Sequence, residues 1–241
     1  MPSYLQKPKQ PDGDAMRQVM GVSFPRSGHN IIHNIFYHYY GDRLVYCDAI
    51  NKDGTHCGCR NIPCINPANT FSKNHDFGLK TGKGTPVIDS ASYLVQYRTP
   101  VRSIASDFEL YQRRKLIQFC LPVLGGQRLW RHFAGIQIKF WKSFVNKWAI
   151  GLQESQIDHL NCSYQDLLDF PLETAGNAIE FTSLQPVNVA RLKEVLNKTA
   201  PRPLGRLKDF PFIDHGYFSE LESRVQVEME LLNLPSWDSG Y

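Results

Sequence analysis

The 241-residue sequence contains no run of 18 or more apolar residues, so it offers no segment of the length and polarity of a membrane-spanning helix. Its opening stretch, MPSYLQKPKQPDGDAMRQ, is polar and proline-rich and lacks the apolar core of a secretory leader. These two absences lead us to expect a cytoplasmic protein whose only membrane contact is peripheral. No CxxC pair occurs among the six cysteines. Cys47, Cys57, Cys59 and Cys64 crowd together with His56, but the CxC at Cys57 and Cys59 is a poor match to zinc spacings. A local disulfide, a zinc site and reduced thiols all stay open, and the missing leader favours the thiols. Cys120 and Cys162 stand alone. The phosphate-binding pattern GxxxxGK[ST] is missing, which counts against an ATP or GTP hydrolase. No internal repeat is visible. A net charge of +4 is too weak to argue for nucleic acid and suits a small anionic ligand. What is present is a globular composition: 42% hydrophobic, 12% aromatic and 21% charged residues, enough apolar material to bury a large core.

Residues 1–17 read as a flexible lead, and 18–241 as a single domain with a Cys-, Asn-, Gly- and Pro-rich excursion at 47–70. QVMGVSF (Gln18 to Phe24), FSKNHDF (Phe71 to Phe77), SYLVQYR (Ser92 to Arg98) and HLNCSY (His159 to Tyr164) are candidate strands. Between them lie helical patterns. Ile31, Ile32, Ile35 and Phe36 share one face of the first. Another runs from Val101 to about Phe119, opened by Pro100, and a third from Leu129 to Trp148. QDLLDFP is a short helix stopped by Pro171, and Asn188 to Lys198 and Phe218 to Leu232 are amphipathic. Strands alternating with helices predict an α/β domain: three layers, with a mostly parallel central sheet flanked by helices. In such sheets ligands sit at the carboxyl ends of the strands. Arg26 to Gly28, Lys73 to His75, and Arg98 all fall at those ends.

The segment GVSFPRSGHN (Gly21 to Asn30) has the parts of an anion site. A buried strand ends, the chain turns at Pro25 and Gly28, and a helix begins near His29. The first amides of a helix lack intrahelical partners and its dipole favours an anion. Arg26 adds a fixed charge, Ser27 and Asn30 add donors, and Gly28 lets the backbone approach a ligand. A lone PRSG is weak evidence. The segment resembles the 5′-phosphosulfate loop of the sulfotransferases that use 3′-phosphoadenosine 5′-phosphosulfate (PAPS), and a second segment, YLVQYRTPVRSIAS, is similar to that family's second signature. The resemblance implies that Arg26, Ser27, Gly28, His29 and Asn30 contact the 5′-phosphate, with His29 and Asn30 standing where the family often has Ser or Thr. It also implies that Arg98 and Ser106, eight positions apart, grip the 3′-phosphate. A fold of the P-loop-like sulfotransferase kind follows from the same likeness.

The family's KxH segment has its counterpart in Lys73-Asn74-His75. There the resemblance makes His75 the base that takes the acceptor's proton and Lys73 the cation that neutralises the bridging oxygen as product PAP leaves. Asp76 follows directly, but adjacent strand residues face opposite ways, which argues against its orienting His75. No metal is expected for this chemistry. HLNCSYQDLL resembles a strand-to-helix segment that puts Tyr164 near adenine, and PRPLGRLKDF loosely resembles a late basic loop, with Arg202, Gly205, Arg206 and Lys208 as candidates for the 3′-phosphate. The resemblance implies a hydroxyl acceptor; aromatics stack on sugars, so a carbohydrate or glycolipid fits, and polyketide, phenol and tyrosine acceptors stay open. The aromatic stretch Phe108 to Trp148 reads first as core, and then as an acceptor cleft, a membrane-facing surface or a dimer contact. Two other functions stay open: a small-molecule or nucleotide kinase with an atypical phosphate loop, and a non-catalytic nucleotide-binding module. Nothing in the sequence bears on oligomeric state.

Overall fold

The computed structural model describes residues 16–48, 64–77, 84–112, 125–199 and 213–234. Five parallel strands form one sheet: β1 (Val19–Ser23), β2 (Tyr46–Asp48), β3 (Phe71–His75), β4 (Ser92–Tyr97) and β5 (His159–Ser163), in the order β2-β3-β1-β4-β5. The helices are α1 (His29–Tyr40), α2 (Pro100–Gln112), α3 (Gly126–Phe144), α4 (Gly151–Glu154), α5 (Tyr164–Asp169), α6 (Pro171–Ser183), α7 (Val189–Thr199), α8 (His215–Ser223) and α9 (Gln226–Leu231), with a short 3₁₀ turn at Gly41–Arg43. A π-helical segment, Val145–Ile150, joins α3 to α4. No helix among the described residues is long and apolar enough to cross a membrane.

The sheet is all-parallel because every strand is followed by a helical or looped crossover. Such a sheet must be covered on both sides. Along β1, Met20 and Val22 point to one face and Val19 to the other; along β4, Tyr93, Val95 and Tyr97 oppose Leu94. The first face packs against α2, α3 and α8 in a core that holds Trp130, Trp141, Trp148 and Phe144, none of them measurably exposed. The second packs against α1, α6 and α7 through Ile32, Ile35, Phe36, Ala178, Ile179 and Leu192. The aromatic stretch of the sequence is therefore core, as its helical spacing indicates.

Three expectations need correction. Cys47 and Asp48 belong to the edge strand β2, although both lie in the stretch read as an irregular excursion. At three residues, β2 is too short to carry a periodic signal. Residues 171–183 form a helix that the sequence reading left out: Pro171 closes α5 but also opens α6 near its first position, where proline's missing N–H costs nothing. The predicted helix 218–232 is two helices broken at Arg224–Val225. Cys47, Cys64 and Cys162 are buried. His56, Cys57, Cys59, Cys120, and Arg202, Gly205, Arg206 and Lys208 lie outside the described residues, as does all of the N-terminal lead except Met16 and Arg17.

Charge balance in the second half of the chain is a tertiary matter. No Asp or Glu occurs between Glu109 and Glu154, yet three cations there meet carboxylates from elsewhere: Arg131 meets Asp214, Lys142 meets Glu228 at 2.5 Å, and Lys147 meets Asp76 at 2.8 Å.

Candidate functional site

β1 is the centre of the sheet. From it the chain runs to the β2 edge, returns to β3 beside β1, and then crosses to β4 and β5 on the other side. The strand order thus reverses at β1, and the crevice beyond its carboxyl end is the usual ligand position of such sheets. The register puts His75 and Gln96 opposite Ser23, so the ends of β3, β1 and β4 lie at one level.

The loop from Phe24 to Gly28 turns sharply. The Ser27 N–H donates to the Phe24 carbonyl at 3.2 Å, and both Arg26 (φ 67°) and Gly28 (φ 91°) are left-handed. An arginine in that region is uncommon, and surrounding structure must hold it there. Gly28 is required twice over, because a Cβ there would also lie 2.6 Å from Tyr164 Cδ2. The Gly28 carbonyl accepts from the Ile31 and Ile32 N–H groups. The N–H groups of His29 and Asn30 have no acceptor among the described residues, which leaves two converging donors at the positive end of α1. Ser27 Oγ is buried and has no hydrogen-bond partner among the described residues.

The second signature meets the first directly. Arg26 Nε donates to Ser106 Oγ at 3.0 Å, tying the loop to the second turn of α2. Arg98, only 4% exposed, has its Nε and Nη2 buried without hydrogen-bond partners among the described residues. Its guanidinium lies 4.0 Å over the Tyr164 ring. Burial pushes the Arg98 pKa down to about 10, with Arg102 and Arg26 adding repulsion and Tyr164 opposing them, so it remains charged at neutral pH. Arg102 itself donates to Gln165 Oε1 at 3.3 Å. Tyr164 is packed between Gly28 and Arg98 and so links three separate segments of the chain. A buried guanidinium with free donors is costly unless an anion completes it.

At the end of β3, Lys73 and His75 share the α1 face. Lys73 Nζ donates to Asn30 Oδ1 at 3.1 Å and sits 3.8 Å from Asp48. His75 Nδ1 lies 2.9 Å from Ser23 Oγ and 3.3 Å from the Ser23 carbonyl. Burial pushes its pKa down to about 4, and Lys73 adds to the effect, so the ring is neutral at working pH and able to accept a proton. The His29 side chain turns inward, 3% exposed, and stacks on Phe71 with rings 5.3 Å apart and 6.1 Å from His75. Burial holds its imidazole well below the usual range, with His75 and Lys73 contributing. What His29 offers an anion is its backbone N–H.

Asp76 points to the opposite face. It is fully buried and accepts from Lys147 Nζ at 2.8 Å and Trp148 Nε1 at 2.9 Å, both in the π-helical segment. Its other oxygen accepts from the Phe77 N–H at 2.9 Å. The carboxylate is saturated and takes no part in orienting His75. Sequence reasoning missed Lys147, Ser23 and Gln96. A lone polar residue ending a buried strand was the available signal for Ser23, and a glutamine inside an otherwise apolar stretch of β4 that for Gln96; Lys147 gave none, since its partner lies 71 positions away. The structure thus brings together Arg26, Ser27, Gly28, the His29 and Asn30 amides, Lys73, His75, Arg98, Ser106 and Tyr164, while Arg206 falls outside the described residues. No protein-family model matches the chain, and no curated protein matches it.

Proposed function

We propose that the protein is a sulfotransferase that moves the sulfuryl group of PAPS to a hydroxyl acceptor and releases PAP. The observation that carries the reading is the Arg98 guanidinium, buried with free donors beside a loop whose own hydroxyl and amides are also free. Arg98 and Ser106 would hold the 3′-phosphate, and Arg26, Ser27 and the amides of His29 and Asn30 the 5′-phosphate. Tyr164 braces Arg98 against Gly28.

The chemistry follows from the residues at the end of β3. The acceptor oxygen attacks sulfur, and the bond between sulfur and the bridging oxygen of the 5′-phosphate breaks. His75 takes the acceptor's proton, so the new sulfate ester forms without a charged intermediate on the acceptor. Lys73 stabilises the charge that develops on the leaving phosphate. Its ammonium is held at the start of α1 by Asn30, on the side where the loop amides converge.

A thermal-shift comparison of PAP, ATP and ADP, each with and without magnesium, tests the donor class. PAP at about 100 times its Kd should stabilise the protein by about 2.7 kcal/mol, several degrees for a chain of this size, independently of magnesium. Stabilisation by ATP only with magnesium would replace the reading with a kinase, and PAP binding without turnover on any hydroxyl acceptor would leave a nucleotide-binding module.

A further inference from the structure

β1 is the most deeply buried strand of the sheet, and four of its five residues are Val, Met, Gly and Val. The fifth, Ser23, has no measurable exposure. A hydroxyl in that position costs free energy unless it is hydrogen-bonded. Its partner is the imidazole of His75, 2.9 Å from Oγ to Nδ1. The same nitrogen lies 3.3 Å from the Ser23 carbonyl oxygen. A carbonyl only accepts, so Nδ1 is the nitrogen that carries the hydrogen in the neutral ring, and Nε2 holds the lone pair. The far side of the ring is bounded by His29, whose plane stands at 67° to it, and His29 is itself stacked on Phe71. The ring therefore has its donor nitrogen tied to β1 and one face walled off.

We infer that Ser23 is a positioning residue for His75: its hydroxyl and carbonyl together hold Nδ1–H, so that Nε2 alone faces the site as the proton acceptor. The inference rests on the sulfotransferase reading for its chemical purpose. When Nε2 takes the acceptor's proton the ring becomes a cation, and the bond from Nδ1–H to Ser23 becomes charge-assisted and stronger at that moment. Ser23 thus acts through His75 and does not touch the reacting atoms. A hydroxyl one residue before the phosphate loop would in this way couple the base to the strand that carries the loop.

The test is histidine-ring ¹⁵N NMR on the full chain at pH 7.5, with and without PAP, using His75→Gln to identify the signal. In the wild type His75 should be the Nδ1–H tautomer in both states. Ser23→Ala should move the tautomer ratio about fivefold toward Nε2–H, the shift expected from losing one hydrogen bond. Ser23→Thr, which keeps the hydroxyl, should restore it, and PAP affinity should stay within about twofold in both variants because neither loses a phosphate contact. An Nε2–H ring in the wild type, or a Ser23→Ala spectrum identical to it, would overturn the inference. If Ser23→Ala does not fold, the wild-type tautomer and the Ser23→Thr spectrum decide it. Failure of PAP to bind the wild type would instead remove the sulfotransferase reading, and the tautomer would still report on the Ser23 contact.

Discussion

His75 and Asp76 are consecutive residues at the end of β3, and the sheet sends them to opposite faces. On the α3 face Asp76 is buried among tryptophans and each oxygen is met, with Lys147, Trp148 and the Phe77 amide as donors. On the α1 face the polar groups are left open: among the described residues Ser27 Oγ and two nitrogens of Arg98 have no partner, and the His75 ring is hydrogen-bonded through Nδ1. One face spends its polar groups on holding the strand end in place. The other keeps them uncommitted, which destabilises the free protein and leaves them ready for an anion.

The largest effect should come from breaking that division at its closed side. Asp76→Ala removes the carboxylate that the half-buried Lys147 ammonium faces, leaving it only the Thr85 carbonyl, and strands the buried Trp148 N–H, and should cost about 3–5 kcal/mol in urea unfolding. His75→Ala, one residue away, should cost about 1–2 kcal/mol, because it leaves the buried Ser23 hydroxyl without its partner, yet remove turnover while PAP still binds. Equal stability losses for the two variants would erase the contrast between the faces.

A second effect tests the open side through pH. The folded-state pKa of His75 is depressed to about 4 from an ordinary 6.5. The unfolded chain therefore binds its proton first as pH falls. The contribution is fully present above about pH 6.5 and is lost as pH drops from there toward 4. Chemical denaturation across this window should show a slope that His75→Gln flattens by up to one proton, about 1.4 kcal/mol per pH unit. An unchanged slope would place the ring in solvent.

A smaller effect in free energy sharpens the ligand side. Arg98→Ala should weaken PAP about 100-fold, or about 2.7 kcal/mol, by calorimetry. It should leave adenosine 5′-phosphosulfate, which has no 3′-phosphate, within about threefold. The unfolding free energy of the free protein should change by less than about 1 kcal/mol, because loss of the Tyr164 ring contact is offset by removal of two buried nitrogens, Nε and Nη2, that have no partner among the described residues. Equal losses for the two nucleotides would move Arg98 away from the 3′-phosphate.

Much of this site is legible in the chain because its parts are local. A strand, a proline-glycine turn and a helix start are written into 18–40, and the register of Arg98 with Ser106 spans only two turns of α2. The alternation of a strand is enough to separate His75 from Asp76. Pro171 shows the limit of reading one residue in one role, since it ends α5 and begins α6. β2 escaped because three residues carry no period, and it owes its place in the sheet to pairing with β3.

The amino-acid sequence by itself determined that this is an α/β protein with helices between its strands, and that arginine, serine and glycine stand at the ends of particular strands. Periodicity and turn chemistry are local properties, and residues a few positions apart suffice to express them. Only the tertiary structure decided that Arg26 bonds Ser106, that Tyr164 wedges between Gly28 and Arg98, that Ser23 holds His75, and that Lys147 closes over Asp76. Each of those contacts joins segments that are tens of residues apart. Strand order and helix packing bring them together, and no local pattern records which distant partner a buried polar group will meet.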